Sequence, residues 1–579
     1  MTDETSNAGL DRRTFLALGA AATGAAVLLP ATPAFAGRQA RAAGDVFTLG
    51  VASGDPLPDS VILWTRLAPS PLDLDGGMGD TVASVEWEVA ADEAFATIVA
   101  SGTVEATPTY GHSVHVDVKG LTPDSWYYFR FRHGSEISPV GRTRTTPALG
   151  AGMSRLVVGQ VSCANWQSGH YQLYGDLADQ QPDYWVHLGD YIYEYGDGGY
   201  LRATQDGVPT RPIPWDGEPF AVAEYRRQYA LYRSDADLQR LHATAPYSVI
   251  WDDHEVDNNF TAAKSGGDGQ KDIGEFLTRR AAAFQAFWEN HAIRIPQPEP
   301  MPSSMDIYRT VTWGTLASFF LLDGRQYRSD QPGRDTPNDF GGLRRGMFSR
   351  KATMLGAEQE QWLREQLADD QARWSFISQQ TVMSHLNGAA AFPDPSFIAS
   401  IKDGLFNYDA WDGYWRARGR LVRSIVKGGV RNPMILTGDF HTNLVFDLLE
   451  RWPNPSLAKT PAEMSAAVRG WEGTKIGVEI CAGAISSPTF FGDSSLGLDS
   501  IAPLVKANTP WIEYADFKHN GYVLHDITPE SDRAQFRVCL AQEEPGSEGG
   551  TPKADATIVI KDGVPGVSEL IPVLPPGMK

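Results

Sequence analysis

Three cysteines in 579 residues, Cys163, Cys481 and Cys539, are too few and too scattered for a disulfide scaffold. No Cys-x-x-Cys pair offers a metal knuckle. Positive charge is also short. Against 71 Asp+Glu stand 50 Lys+Arg, a formal net charge of −21, where a protein that tracks nucleic acid carries a basic stripe. The chain has no G-x-x-x-x-G-K-[ST] phosphate loop and no G-x-S-x-G elbow. His254-Glu255 does not open an H-E-x-x-H helix, because residue 258 is Asn. Long apolar runs are absent beyond the first 36 residues. What is abundant is core material: 42% apolar and 11% aromatic residues exclude a disordered chain and suit a large domain with a smaller one.

The N-terminus reads as an address. Asp11-Arg12-Arg13-Thr14-Phe15-Leu16 precedes a Gly/Ala-rich run from Ala17 to Leu29, and Ala34-Phe35-Ala36 supplies a cleavage site. Paired arginines before a weakly apolar run resemble a twin-arginine export signal over residues 1–36, with the twin-arginine translocation machinery as partner. The competing reading is an uncleaved amphipathic anchor. Cleavage leaves about 540 residues of net charge −20. With no transmembrane anchor, the expected location is secreted, extracellular or wall-associated.

Residues 45–147 alternate in short strands: Val46–Leu49, Val61–Trp64, Val85–Val89, Val114–Val118, Trp126–Phe131 and Arg142–Thr146. That rhythm predicts an N-terminal β-sandwich of immunoglobulin or fibronectin type. His112 and His115 lie three apart on a strand, hence on opposite faces, and read as structural. From 151 to 545 apolar strands (Leu156–Val161, Tyr184–Leu188, Ser248–Trp251, Ser318–Leu322, Met434–Leu436) alternate with helices. The helices are expected near Tyr171–Gln180, Ala223–Leu241, Phe276–Glu289, Glu358–Ala368 and Tyr408–Lys427. Strands buried on both faces, interleaved with helices, predict an α/β fold layered α/β/α. Residues 546–579 read as a tail with a β-like segment, Ala556–Ile560.

Ligands in such folds gather beyond the carboxyl ends of the strands. Four strands here end in Ser162-Cys163-Ala164-Asn165, in Gly189-Asp190-Tyr191-Ile192-Tyr193, in Asp252-Asp253-His254-Glu255 with Asn258 following, and in Gly438-Asp439-Phe440-His441. One thiol, several carboxylates, a phenol and two imidazoles converge if the sheet is parallel there. Buried carboxylates cost several kcal/mol each unless paired or coordinated, so a cation cluster is the simplest explanation.

At these residues the chain resembles the calcineurin-like metallophosphatases, and within them the PhoD-like alkaline phosphatase and phospholipase D family. The superfamily pattern runs D-x-H, G-D-x-x-D/Y, G-N-H-D/E and G-H-x-H. Here Cys163 replaces the opening acid, Asp190 and Tyr193 fit the second element, Asp252-Asp253-His254-Glu255 stands at the third, and Gly438-Asp439-Phe440-His441 at the fourth.

The resemblance covers nearly the whole chain beyond the signal and implies a layered metallophosphatase sandwich. Cys163, Tyr193 and His441 would then hold Fe3+, with Asp190 bridging. Asp253, Asp439 and Asn258 would supply harder oxygen donors for Ca2+, with Asp252 a further candidate. Catalysis would fall to Asp190 and His254, the latter as general acid, while a cation-held hydroxide attacks phosphorus in line.

Plainer readings stand beside these. Alone, Cys163 would be a small buried hydrophobe, Tyr193 one of several packed tyrosines, and Asp190 a turn former. Asp252 and Asp253 would cap a helix. Arg325 and Arg328 either hold a phosphate or form salt bridges. His385 is undecided between imidazole ligand and structure, His519 and His525 are unassigned, and Cys481 and Cys539 read as core.

The leading function is a phosphoesterase acting on small phosphomonoesters and diesters. The alternative is an iron-dependent phospholipase D releasing head groups from phospholipids. No His is followed by Lys two residues on, which removes only the phosphohistidine route. A third reading is a non-catalytic exported binding protein. The loops Gly196–Phe220 and Ser487–Trp511 are expected to set substrate access.

Overall fold

Strands made of apolar residues at successive positions must be covered on both sides, and the way these are covered sets the architecture. A computed structural model of the chain describes residues 45–199, 209–266, 272–332, 345–386, 408–453, 471–489, 503, 505–506 and 509–573. The export signal lies outside them, as does part of each proposed access loop. Among the described residues no helix is long and apolar enough to cross a membrane.

Leu156–Val161, Tyr184–His187 and Tyr247–Val249 pair in parallel at the centre of a ten-stranded sheet, in register at Val161, His187 and Val249. Ala317–Leu321, Trp374–Ser378, Pro433–Thr437 and Lys475–Cys481 form the parallel run of a seven-stranded sheet. Alternation sorts the side chains of the second sheet. Phe319, Leu321, Phe376, Met434 and Leu436 share one core with Leu156, Val158 and Val186 of the first sheet. Phe320, Ile377 and Ile435 point the other way, into a core made with Leu363, Leu421 and Ile425 of the helices Gly356–Asp369 and Trp415–Gly428.

The sheets therefore pack face to face, and two β layers replace the single one expected. An apolar strand pattern reports burial on both faces; it does not distinguish a helix from a second sheet as the cover. Helix Gln172–Asp179 packs against the first sheet at Gly159, where a Cβ would stand 2.6 Å from a Leu177 methyl carbon.

Within 45–147, Ala83–Ala90, Ile98–Ala106, Trp126–His133, Glu136–Ile137 and Gly141–Arg144 form their own sheet. Val51–Leu57, Ser60–Arg66 and Ser113–Lys119 instead continue the ten-stranded sheet, joined to Tyr247–Val249 through Gly54 and Tyr247. The two sheets enclose Val61, Leu63, Val85, Val114, Phe129 and Phe131. Val46–Leu49 is a turn, not the expected strand: Asp45 accepts from the Phe47 N–H at 2.9 Å, and the Gly50 N–H closes on Phe47 O at 3.0 Å. His112 and His115 donate from Nε2 to the carbonyls of Thr81 and His291, at 2.7 and 2.8 Å.

The single helix expected over 223–241 is two, Val222–Arg233 and Ala236–Thr244. Asp235 divides them by accepting from the N–H groups of Asp237 and Leu238. At the C-terminus Lys553–Lys561 pairs with Ser531–Cys539, and Glu569–Pro572 pairs with it in turn as an edge strand of the ten-stranded sheet.

Candidate metal centre

The sharp exits from the parallel strands put polar side chains where the strands stop. Cys163, Asp190, Asp439 and His441 all have positive φ, between 52° and 60°, a region costly for residues with a Cβ. Gly189, at φ 103°, allows the Asp190 loop to touch the next one; a Cβ there would lie 2.4 Å from Asp252 Cβ. Glu255 ties the same two loops, accepting from the N–H groups of Asp190 (3.0 Å), Tyr191 (2.6 Å) and Asp252 (2.8 Å).

Cys163, Asp190 and His441 bring one potential ligand atom each within 4.8 Å of one another, all buried. Pro488 O accepts from His441 Nδ1 at 2.9 Å, so the lone pair sits on Nε2. The Tyr193 hydroxyl lies 3.0 Å from that Nε2 and 3.0 Å from Asp190 Oδ2, while Ser487 Oγ donates to it at 2.7 Å. One phenolic hydrogen thus faces two acceptors and satisfies one of them. Burial, reinforced by Asp190, pushes the Cys163 thiol well above its ordinary range. A high-charge cation would reverse that balance by binding thiolate and phenolate.

Beside this lie two further groups, Asp190–Asp253–His254 and Asp252–Asp253–Asp439. Arg325 serves several of these carboxylates: Nε donates to Asp252, Nη1 to Asp409 (2.6 Å) and Nη2 to Asp439 (3.1 Å), with Asp253 3.5 Å from Nη2. Arg328 adds a second hold on Asp409 at 2.6 Å. Two guanidinium groups do not balance five buried carboxylates. Burial, with Asp409 and Asp253 nearby, pushes the Asp439 carboxyl up to about 8 against the pull of Arg325. Asp252 Oδ2 and Asp253 Oδ1 are buried without a hydrogen-bond partner. Carboxylate oxygens without hydrogen bonds amid excess negative charge fit an oxygen-ligated cation.

His254 stacks on Tyr193, with ring centroids 4.1 Å apart, and donates from Nδ1 to Glu194 Oε2 at 2.7 Å. Burial opposes its charge, but Glu194, Asp253 and Asp190 together hold the imidazole well above its usual pKa.

The structure gathers Cys163, Asp190, Tyr193, Asp252, Asp253, His254, Asp439 and His441 at one edge. The Asn258 N–H donates to Glu194 Oε1 (2.8 Å), and the Asn259 N–H reaches Asp253 Oδ2 (2.6 Å). Asp253 caps no helix, since the chain after it turns through Val256 N–H to Asp253 O. Arg325 and Arg328 form salt bridges. His385 donates to Asp412, His519 to Asp516 and His525 to Asp532, and none of them belongs to the three groups. Sequence reasoning missed Glu194, Asp409, Asn259 and Ser487; only Glu194, four residues after Asp190, carries a positional hint.

The family model of the PhoD-like phosphatase matches residues 156–536, and that of the PhoD-like phosphatase N-terminal domain matches 32–147. The chain belongs to the PhoD-like phosphatase family. It is therefore a phosphoric ester hydrolase. Alkaline phosphatase D of Bacillus subtilis (strain 168) is 40% identical over 505 residues, 86% of this chain and 79% of that protein. A solved structure of PhoD matches with a TM-score of 0.77 at 34% identity, covering 93% of this chain and 95% of the other. Within this PhoD-like phosphatase, the strand-end cluster is the one place where such a density of buried carboxylates, thiol and imidazole occurs among the described residues.

Proposed function

We propose that the chain is an exported, metal-dependent phosphatase of the PhoD type, hydrolysing small phosphomonoesters and phosphodiesters at the strand-end cluster. Cys163, Asp190, Tyr193 and His441 would hold Fe3+, and Asp252, Asp253 and Asp439 would hold Ca2+, with Asn258 as a further carbonyl donor. Bound there, the cations supply neutralisation of the phosphoryl oxygens and a nucleophile at working pH.

The chain's own residues do the rest. Asp190, held by Glu255 through its backbone and close to Tyr193, His254 and His441, aligns both halves of the cluster. Arg325 keeps Asp252, Asp409 and Asp439 apart yet convergent. His254 carries the proton that the departing ester oxygen needs, and Glu194 keeps it charged and oriented. The convergence of Asp190, Asp252, Asp253 and Asp439, with Asp252 Oδ2 buried without a hydrogen-bond partner, is the observation that carries the metal reading.

Export rests on Arg12-Arg13 and the segment that follows, with the twin-arginine machinery as carrier. A panel of p-nitrophenyl phosphate, bis-p-nitrophenyl phosphate and phosphatidylcholine tests the substrate class. Turnover of the first two supports the proposal. Turnover of the lipid alone would favour the phospholipase D alternative, and no turnover by metal-replete protein would leave a binding protein.

A further inference from the structure

A cleft of about 480 Å³ lies along the helix Trp415–Gly428, on the outer side of the seven-stranded sheet. In a chain of net charge −21, this cleft is positive. Arg416, Arg418, Arg423, Lys427 and Arg451 line it against Glu450 alone. Arg416, Arg423 and Lys427 are exposed and form no ion pair among the described residues, and Arg451 is only 3.9 Å from Glu450. Three exposed cations on one helix face, without an ion pair of their own, repel one another, so the arrangement asks for an anion.

The second observation is buried. Arg418 is 1% exposed, with its guanidinium between the rings of Trp415 (4.1 Å) and Trp452 (4.7 Å). Its Nη1 donates to Asp412 (2.6 Å) and to Met383 O (2.9 Å), but its Nη2 has no acceptor. Trp452, 8% exposed in the same wall, has an Nε1 without an acceptor as well. A buried donor left unmet is costly, and two occur in residues that line this one cleft.

We propose that this cleft binds a tetrahedral oxyanion, a phosphate in chemical class, at a place separate from the metal cluster. Arginine forks suit phosphate oxygens, and a concave wall suits a discrete anionic group better than a flat lipid surface. The ligand is either free phosphate or the phosphate group of a larger molecule.

The test is equilibrium dialysis of the metal-loaded full chain with inorganic phosphate in one arm and phenylphosphonate, which has no ester bond to hydrolyse, in the other. It compares wild type with Arg423→Glu/Lys427→Glu, two exposed residues outside the catalytic machinery. The wild type is expected to bind about one equivalent more than the variant. The variant should keep its kcat and KM on p-nitrophenyl phosphate within about twofold. A difference with phosphate identifies the free ion; a difference with phenylphosphonate alone identifies the group carried by a larger molecule. Equal binding by both proteins in both arms overturns the site. A variant whose KM rises as the bound equivalent is lost overturns its separateness and assigns the cleft to the substrate's path.

Discussion

His254 Nδ1 stands 2.7 Å from Glu194 Oε2, with 6% and 1% of the two side chains exposed. At that burial the pair is weakly screened, and Glu194 raises the imidazole pKa more than any other partner does. On the proposed reading, an imidazolium held in this way beside the carboxylate cluster would be a proton donor with a fixed orientation. This fits ester hydrolysis, in which the departing oxygen needs a proton more as it becomes more basic.

His254→Asn should slow alkyl phosphates by about 10²–10⁴-fold and activated nitrophenyl esters much less. An equal loss on both classes would remove general acid duty from His254.

Glu194→Gln should lower the alkaline limb of the pH–rate profile on alkyl esters. The sign follows from the raised pKa: the protonated form persists as pH climbs past the ordinary imidazole value, and loses that support without the carboxylate. An unmoved limb in the variant would contradict the pairing.

Tyr193→Phe should abolish a visible absorption band arising from phenolate bound to iron, and lower activity with it. The Phe ring preserves stacking on His254, so lost colour reports the hydroxyl. An unchanged spectrum would take Tyr193 out of the cluster.

Acid should weaken the fold through histidines that it buries neutral. Burial lowers the fully buried His187 to about 3 and the half-buried His115 to about 4 from an ordinary 6.5. Above 6.5 both are neutral, folded or unfolded, and their contribution is complete. Below it the unfolded chain takes up protons that the native state refuses. Stability therefore falls by about 1.4 kcal/mol per pH unit for each group, down to its folded pKa. Urea midpoints at pH 7 and pH 5 measure this, and a midpoint that rises on acidification would contradict it.

What could be read in the sequence, and what could not, divides along physical lines. Cys163, Asp190, Asp253, Asp439 and His441 stood out because each follows an apolar strand directly, and strand ends of parallel sheets converge. Asp409 and Ser487 come from loops whose return to the same edge no local pattern encodes. Asn259 meets Asp253 through its backbone N–H, placed by the turn after Asp253, a matter of φ and ψ that composition does not report. The second β layer escaped for a related reason: Phe319 and Phe320 are equally apolar, yet one faces a sheet and the other helices.

Elemental analysis of natively exported protein, alongside Cys163→Ser and Asp253→Asn, tests most directly whether these donors meet around shared cations. The account expects iron and calcium in the active wild type, iron lost with the thiol change and calcium lost with the carboxylate change. Full phosphatase activity in protein that holds neither metal would contradict it.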